Sequence, residues 1–125
     1  MPTQDGPSRF RIAVASSDRK YVHLHFGRTT QFQIFDVEGS RLDFVECREV
    51  PALCEGGNHD LGQLIRVIGK LRDCQAVLAA QIGPGVQKAL SRFGIHPFVF
   101  PDTIPSAVKK LRNTGFPSVH TDAFH

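Results

Sequence analysis

Tryptophan is absent from the chain and tyrosine occurs once, at Tyr21, so any surface for stacking bases would have to rest on phenylalanine. Cysteine is scarce and odd in number. Cys47, Cys54 and Cys74 stand at irregular spacing, which excludes a secreted disulfide framework and leaves buried thiols or metal ligands. No apolar run approaches the roughly 20 residues that cross a bilayer. The first ten residues carry Asp5, Gly6 and Pro7 and no apolar h-region, so no secretory signal is expected and the location reads as cytoplasmic.

What remains is an ordinary globular composition. The 125 residues are 41% hydrophobic and 22% charged, which suits one domain with a core that needs no staples. The net charge of +3 is unevenly spread: residues 1–63 carry net −2 and residues 64–112 net +6. A basic half of this kind is either a solvated face or a surface that attracts an anion.

Residues 1–9 read as a flexible lead-in, 10–114 as the domain and 115–125 as a flexible tail. Within the domain, Phe10–Ala15 alternates like a strand. A short segment, Tyr21–Gly27, follows a polar turn. Phe32–Val37 and Leu42–Val45 flank Glu38-Gly39-Ser40, the pattern of a hairpin. Leu61, Leu64, Ile65, Ile68 and Leu71 then recur at helical spacing, with Asn58 or Asp60 as caps. Gln75–Ile82 reads as a buried strand. Gly83-Pro84-Gly85 opens a helix with Val86, Ala89, Leu90 and Phe93 on one face and Gly94 as its stop. Ile95–Phe100 is a further strand. Thr103 caps a last helix whose Ile104, Ala107, Val108 and Leu111 face inward. The order β-β-β-α-β-α-β-α predicts an α/β fold, a mixed five-stranded sheet flanked by helices with ribonuclease H-like topology.

That topology invites a nuclease reading, and the residues refuse it. Two-metal nucleases need converging carboxylates. The first strand, Arg11–Ala15, has none, and Asp36, Glu38, Asp43, Glu46 and Glu49 fall mostly on the solvent side of the hairpin. Soft ligands are a better lead. His23 and His25 precede Gly27, while Cys54 and His59 flank Gly56-Gly57. Their spacing is no zinc ribbon, but thiolate and imidazole suit iron–sulfur species. Cys74, entering a strand, and Cys47, within one, read as structural residues. In His25-Phe26-Gly27-Arg28 the glycine permits close approach and the arginine can pair with an anion. Ile82-Gly83-Pro84-Gly85 lacks a Walker lysine. It is either a plain turn or a helix start that favours an anion.

As one ordered series, Ile12-Ala13-Val14-Ala15-Ser16, His25-Phe26-Gly27-Arg28-Thr29-Thr30-Gln31-Phe32, Cys54 with Gly56-Gly57, Asp73–Leu78, Ile82–Gly85 and Gly94-Ile95 resemble the dinitrogenase iron–molybdenum cofactor biosynthesis family, with its NifX-like proteins and the C-terminal domain of NifB. The resemblance implies a ribonuclease H-like fold and a noncatalytic carrier of an iron–sulfur cluster, either a precursor of the iron–molybdenum cofactor or a cluster of a related metal–sulfur pathway. It implies His25 as first cluster contact, Cys54 and His59 as further ligands, and Phe26, Gly27, Arg28, Gly83 and Gly85 as residues around an anionic cluster. The partners it implies are a metal–sulfur cluster and cofactor assembly proteins or apo-dinitrogenase; the lack of a long apolar run speaks against a membrane, and the basic half leaves nucleic acid only as a nonspecific partner. The other function the sequence leaves open is an accessory factor that holds an apo-enzyme without a cluster.

Overall fold

The computed structural model describes residues 9–53 and 61–116. The elements run β1 (Arg9–Ala15), β2 (Gln31–Glu38), β3 (Arg41–Glu49), α1 (Leu61–Gly69), β4 (Ala76–Ala79), α2 (Pro84–Arg92), β5 (His96–Val99) and α3 (Ile104–Asn113). They form one five-stranded sheet in the order β3-β2-β1-β4-β5. β1–β2 and β2–β3 pair antiparallel, whereas β1–β4 and β4–β5 pair parallel. The sheet is therefore mixed, as the element order requires.

Helices cover both faces. Leu64, Val67 and Ile68 of α1 and Val86 and Leu90 of α2 pack with Ala13, Phe32 and Ile34 on one side. Ile104, Ala107, Val108 and Leu111 of α3 pack with Ile12, Val14 and Phe35 on the other. Covering on two faces explains why β1 and β2 are nearly continuously buried. The hairpin closes through Gly39 at φ +60°, a conformation that glycine adopts without a Cβ clash. The predicted cap on α3 is present, with Thr103 accepting from the Ser106 amide at 3.3 Å. The caps expected at Asn58 or Asp60 lie outside the described residues.

Several expectations need correction. On α1 the apolar stripe is Leu64, Val67, Ile68 and then Leu71 beyond the helix, while Leu61 and Ile65 are exposed. Val67 lies one position from Ile68 and so belongs to the same broad stripe, which the i, i+4 count from Leu61 missed. Phe93 is exposed with the Arg72 guanidinium 5.7 Å from its ring centroid. Cys47 is exposed, on the edge strand β3, whose residues are mostly exposed. Cys74 is buried as expected. Arg9 already belongs to β1, and Phe116 is buried against the rings of Phe10, His96 and Phe98.

An ion-pair network ties the end of the sheet where β1 and β4 begin. Asp73 accepts from both Nη atoms of Arg48, at 2.7 and 2.8 Å, and from Arg11 at 2.8 Å. Arg11 also donates twice to Asp36. The Arg48 hydrogen bonds, then those from Arg11, hold the Asp73 carboxyl well below the usual carboxylate range. Arg11 does the same for Asp36. A depressed folded-state pKa stabilises above the unfolded value near 4 and loses that stabilisation as pH falls through the folded one. Side chains exposed by 30% (Arg11), 19% (Arg48) and 45% (Asp73) limit the gain to about 1 kcal/mol. Asp73→Asn is therefore expected to lower the urea midpoint at pH 7 and to flatten its decline below pH ~4. Equal declines in both proteins would remove Asp73 from the acid response.

Candidate functional site

The other end of the sheet is where β1 and β4 finish side by side. Carboxyl ends of parallel strands are where open α/β sheets place their ligands, because the backbone diverges there and leaves a crevice. The segment after β1 crosses this end. Leu24 N–H donates to the Ala15 carbonyl (3.2 Å), Ala80 N–H to that of Leu24 (2.9 Å), and Phe26 N–H to that of Gln81 (2.9 Å). His25 pairs with Gln81 as an isolated parallel bridge. This stitching shortens β4 relative to the apolar run Gln75–Ile82, since from Ala80 onward the chain pairs with the 21–27 segment instead of β1.

The result brings two separate sequence motifs together. His25-Phe26-Gly27-Arg28 lies beside Gln81–Gly85. Phe26 is the anchor: its ring is 1% exposed and sits 5.3 Å from that of Phe32. The side chain of Phe26, a residue expected around the cluster, thus lies in the core and positions its neighbours. Arg28 and Thr29 both donate to the His25 carbonyl, at 3.0 and 2.9 Å, which turns the chain sharply after the anchor. His25 and Arg28 are exposed, and neither side chain has a partner among the described residues. Leu53 N–H donates to the Gly27 carbonyl at 2.9 Å, so the chain reaches Leu53 beside the same motif. Cys54 and His59, the other expected ligands, lie outside the described residues.

His23 shows the contrast. Its Nε2 is 2.9 Å from Ser17 Oγ and its Nδ1 3.0 Å from the Tyr21 carbonyl, with Asp18 Oδ1 at 3.9 Å. Both ring nitrogens are spent locally, whereas those of His25 have no partner among the described residues. Asp18 itself accepts from the Lys20 and Tyr21 amides, which lowers its carboxyl to about 2.

On the facing side, Gly83 is the N-cap of α2 and Pro84 its first residue. No side chain caps this helix, so its first amides are left for water or a ligand. Neither Gly83 nor Gly85 has a positive φ, and a Cβ at either would meet nothing within 4 Å. These glycines are needed neither by backbone conformation nor by packing. They keep the surface bare.

The cysteines that are described add nothing to the site. Burial, and next the Asp73 charge, push the Cys74 thiol up to about 12, so it stays protonated in the core. Among the described residues no three His, Cys, Asp or Glu side chains converge on a metal position. A two-metal nuclease centre is thus missing from them. Sequence reasoning overlooked Gln81, whose carbonyl holds Phe26, and Ser16, a fully buried hydroxyl that accepts from the Asp18 and Arg19 amides at 3.3 and 3.1 Å. Backbone carbonyls leave no trace in side-chain patterns. Ser16 was legible as the start of a polar turn and as the end of a family motif, but not as a buried hydroxyl that holds the turn.

Fold and site together define a small α/β protein with an open, ligand-receptive sheet end. Residues 8–114 match the family described as dinitrogenase iron–molybdenum cofactor, and the chain belongs to it. The FeMo cofactor biosynthesis protein NifB of Herbaspirillum seropedicae is 38% identical over 97 residues, 78% of this chain and 18% of that protein. Protein NifX of Azotobacter vinelandii is 32% identical over 97 residues, 78% of this chain and 60% of that one. The chain thus spans about a fifth of the NifB relative and three-fifths of the NifX relative. The apo form of the orange protein from Desulfovibrio gigas matches with a TM-score of 0.55 at 22% identity, over 83% of this chain and 88% of that one. This last likeness is one of fold. No helix among the described residues is long and apolar enough to cross a membrane.

Proposed function

We propose that the chain is a noncatalytic carrier of an anionic iron–sulfur cluster, a precursor of the nitrogenase iron–molybdenum cofactor, which it hands to a cofactor assembly protein or to apo-dinitrogenase. The observation that carries the reading is His25: an exposed imidazole with neither nitrogen bonded among the described residues, fixed by the buried Phe26 next to a helix start whose N-cap, Gly83, makes no side-chain cap bond. Imidazole is a suitable ligand for iron–sulfur species. Arg28 and the first amides of α2 favour the negative charge of such a cargo. Cys54 and His59 complete the ligand set in this reading on the strength of the family resemblance. Few protein ligands suit a carrier, which has to release what it binds. The strand order β3-β2-β1-β4-β5, with β2 antiparallel to β1, supports reading the fold as ribonuclease H-like.

An anoxic titration with isolated cluster precursor, followed by gel filtration and iron analysis, tests the reading. Iron should co-elute with the protein. Elution of all iron apart from the chain rejects it. The bare glycines sharpen the test. Gly85→Ala places a methyl in open space on the first turn of α2 and should stabilise the fold by up to about 0.5 kcal/mol through helix propensity. The same methyl narrows the approach to the α2 amides, so cluster retention should fall while the melting temperature holds or rises. Retention equal to wild type would show that cargo does not touch this turn.

A further inference from the structure

We infer that the outer face of α2 is a docking groove for a short acidic segment of a partner protein. An open groove of about 580 Å³ is lined by Pro84, Gln87, Lys88, Ser91 and Arg92 of α2 and by Pro97 of β5. Its two charges are both positive. Neither Lys88 nor Arg92 has a carboxylate partner among the described residues, whose Lys and Arg ion pairs are made by Arg11, Arg41, Arg48 and Lys110. The two cations stand four residues apart on one helix face, a spacing at which like charges repel. A carboxylate between them converts that repulsion into attraction.

The dimensions select the occupant. From Pro84 to Arg92 the helix rises about 12 Å, the length of three to four extended residues. Two cations over that length match two carboxylates. They are too few to track a nucleic-acid backbone, where binding strength comes from many phosphate contacts. The wall opposite α2 belongs to β5, an edge strand. Pro97 has no N–H to offer there, so a segment entering the groove is not held as an added strand. It is held by the side chains of α2, with Ser91 Oγ beside the cations. Gln87 is already fixed, donating to the Ile82 carbonyl at 2.9 Å, and forms a firm part of the lining.

The groove begins at Pro84, one residue from Gly83 and Gly85. A segment docked there brings its parent protein to the mouth of the His25 site. Only this placement rests on the carrier reading; the docking is tested without any cluster.

The probe is a fluorescein-labelled peptide, Gly-Ser-Asp-Glu-Asp-Glu-Ser-Gly, followed by anisotropy at low salt. Lys88→Glu with Arg92→Glu should weaken its binding about tenfold or more. Lys109→Glu with Arg112→Glu changes the net charge equally on the exposed side of α3, across the sheet, and should weaken it less than about threefold. Amide shifts on peptide addition should concentrate in Pro84–Arg92, and Lys88→Gln with Arg92→Gln should reproduce the loss. Equal weakening by the two charge-reversed proteins would reduce the effect to net charge and overturn the proposal. So would short duplex DNA that competes with the same dependence on Lys88 and Arg92, which would make the groove a phosphate site. Absence of peptide binding to wild type overturns it as well.

Discussion

His25→Ala is expected to abolish most cluster retention and to leave the fold untouched. His25 is exposed and its ring bonds to nothing among the described residues, so the change belongs with surface substitutions, which fall within about 0.5 kcal/mol. Its backbone pairing with Gln81 and the turn through Thr29 use main-chain atoms and survive. Loss of a ligand from a site with few ligands should cost at least about tenfold in affinity, since even the outer hydrogen-bond partners of metal ligands are worth that much. Iron per chain after anoxic gel filtration is the readout, with the melting temperature beside it. His23→Ala is the control. Its nitrogens are engaged with Ser17 and Tyr21, so iron retention should stay at the wild-type level. If His25→Ala held its full iron, the imidazole would not be a ligand, whatever the other residues do.

These two histidines also show what the sequence can and cannot say. Both sit on one short segment two residues apart, and nothing in their local pattern separates them. The difference arises from the turn Ser16–Tyr21, where Arg19 takes a positive φ and folds Ser17 back to within reach of His23. The element order, by contrast, was legible throughout. Period two over Phe10–Ala15, a glycine turn at Gly39, and period 3.6 after Pro84 and Thr103 follow from local sterics and from covering each face once. Burial on α1 was less legible. Leu61 and Ile65 continue the apolar spacing yet are exposed, while Val67 takes a place in the core beside Ile68. The juxtaposition of His25 with Gly83 was not legible at all. It depends on main-chain bonds across more than fifty positions, from the Ala80 N–H to the Leu24 carbonyl and from the Phe26 N–H to the Gln81 carbonyl. Only the family resemblance linked the two motifs beforehand. The ion network around Asp73 was hidden for the same reason: Arg11, Asp36, Arg48 and Asp73 are scattered in sequence and meet only across strand register.

Phe26→Ala is the substitution expected to damage both stability and the site. The ring is fully enclosed between Phe32 and the α1–α2 core, and its removal leaves a cavity among Leu, Val and Ile side chains. Truncations of this kind cost about 3–5 kcal/mol, a large share of the 5–15 kcal/mol that holds a domain together. The melting temperature should drop by roughly 15 °C. Functional loss should precede unfolding. The 21–27 segment is held by main-chain bonds to Ala15, Leu53, Ala80, Gln81 and Asp102 and by the buried side chains of Val22 and Phe26, of which the ring is the larger, so without the ring its opening becomes easier than global unfolding. Faster exchange of the Phe26 and Ala80 amides in the still-folded variant would report that opening. Iron retention should be weakened there too, at temperatures where far-ultraviolet circular dichroism is native. Phe26→Leu keeps most of the volume, should cost closer to 1–2 kcal/mol, and should hold its iron. Should the folded Phe26→Ala protein bind cluster as well as wild type, the ring would be ordinary core, and the position of His25 would be set by the Gln81 pairing alone.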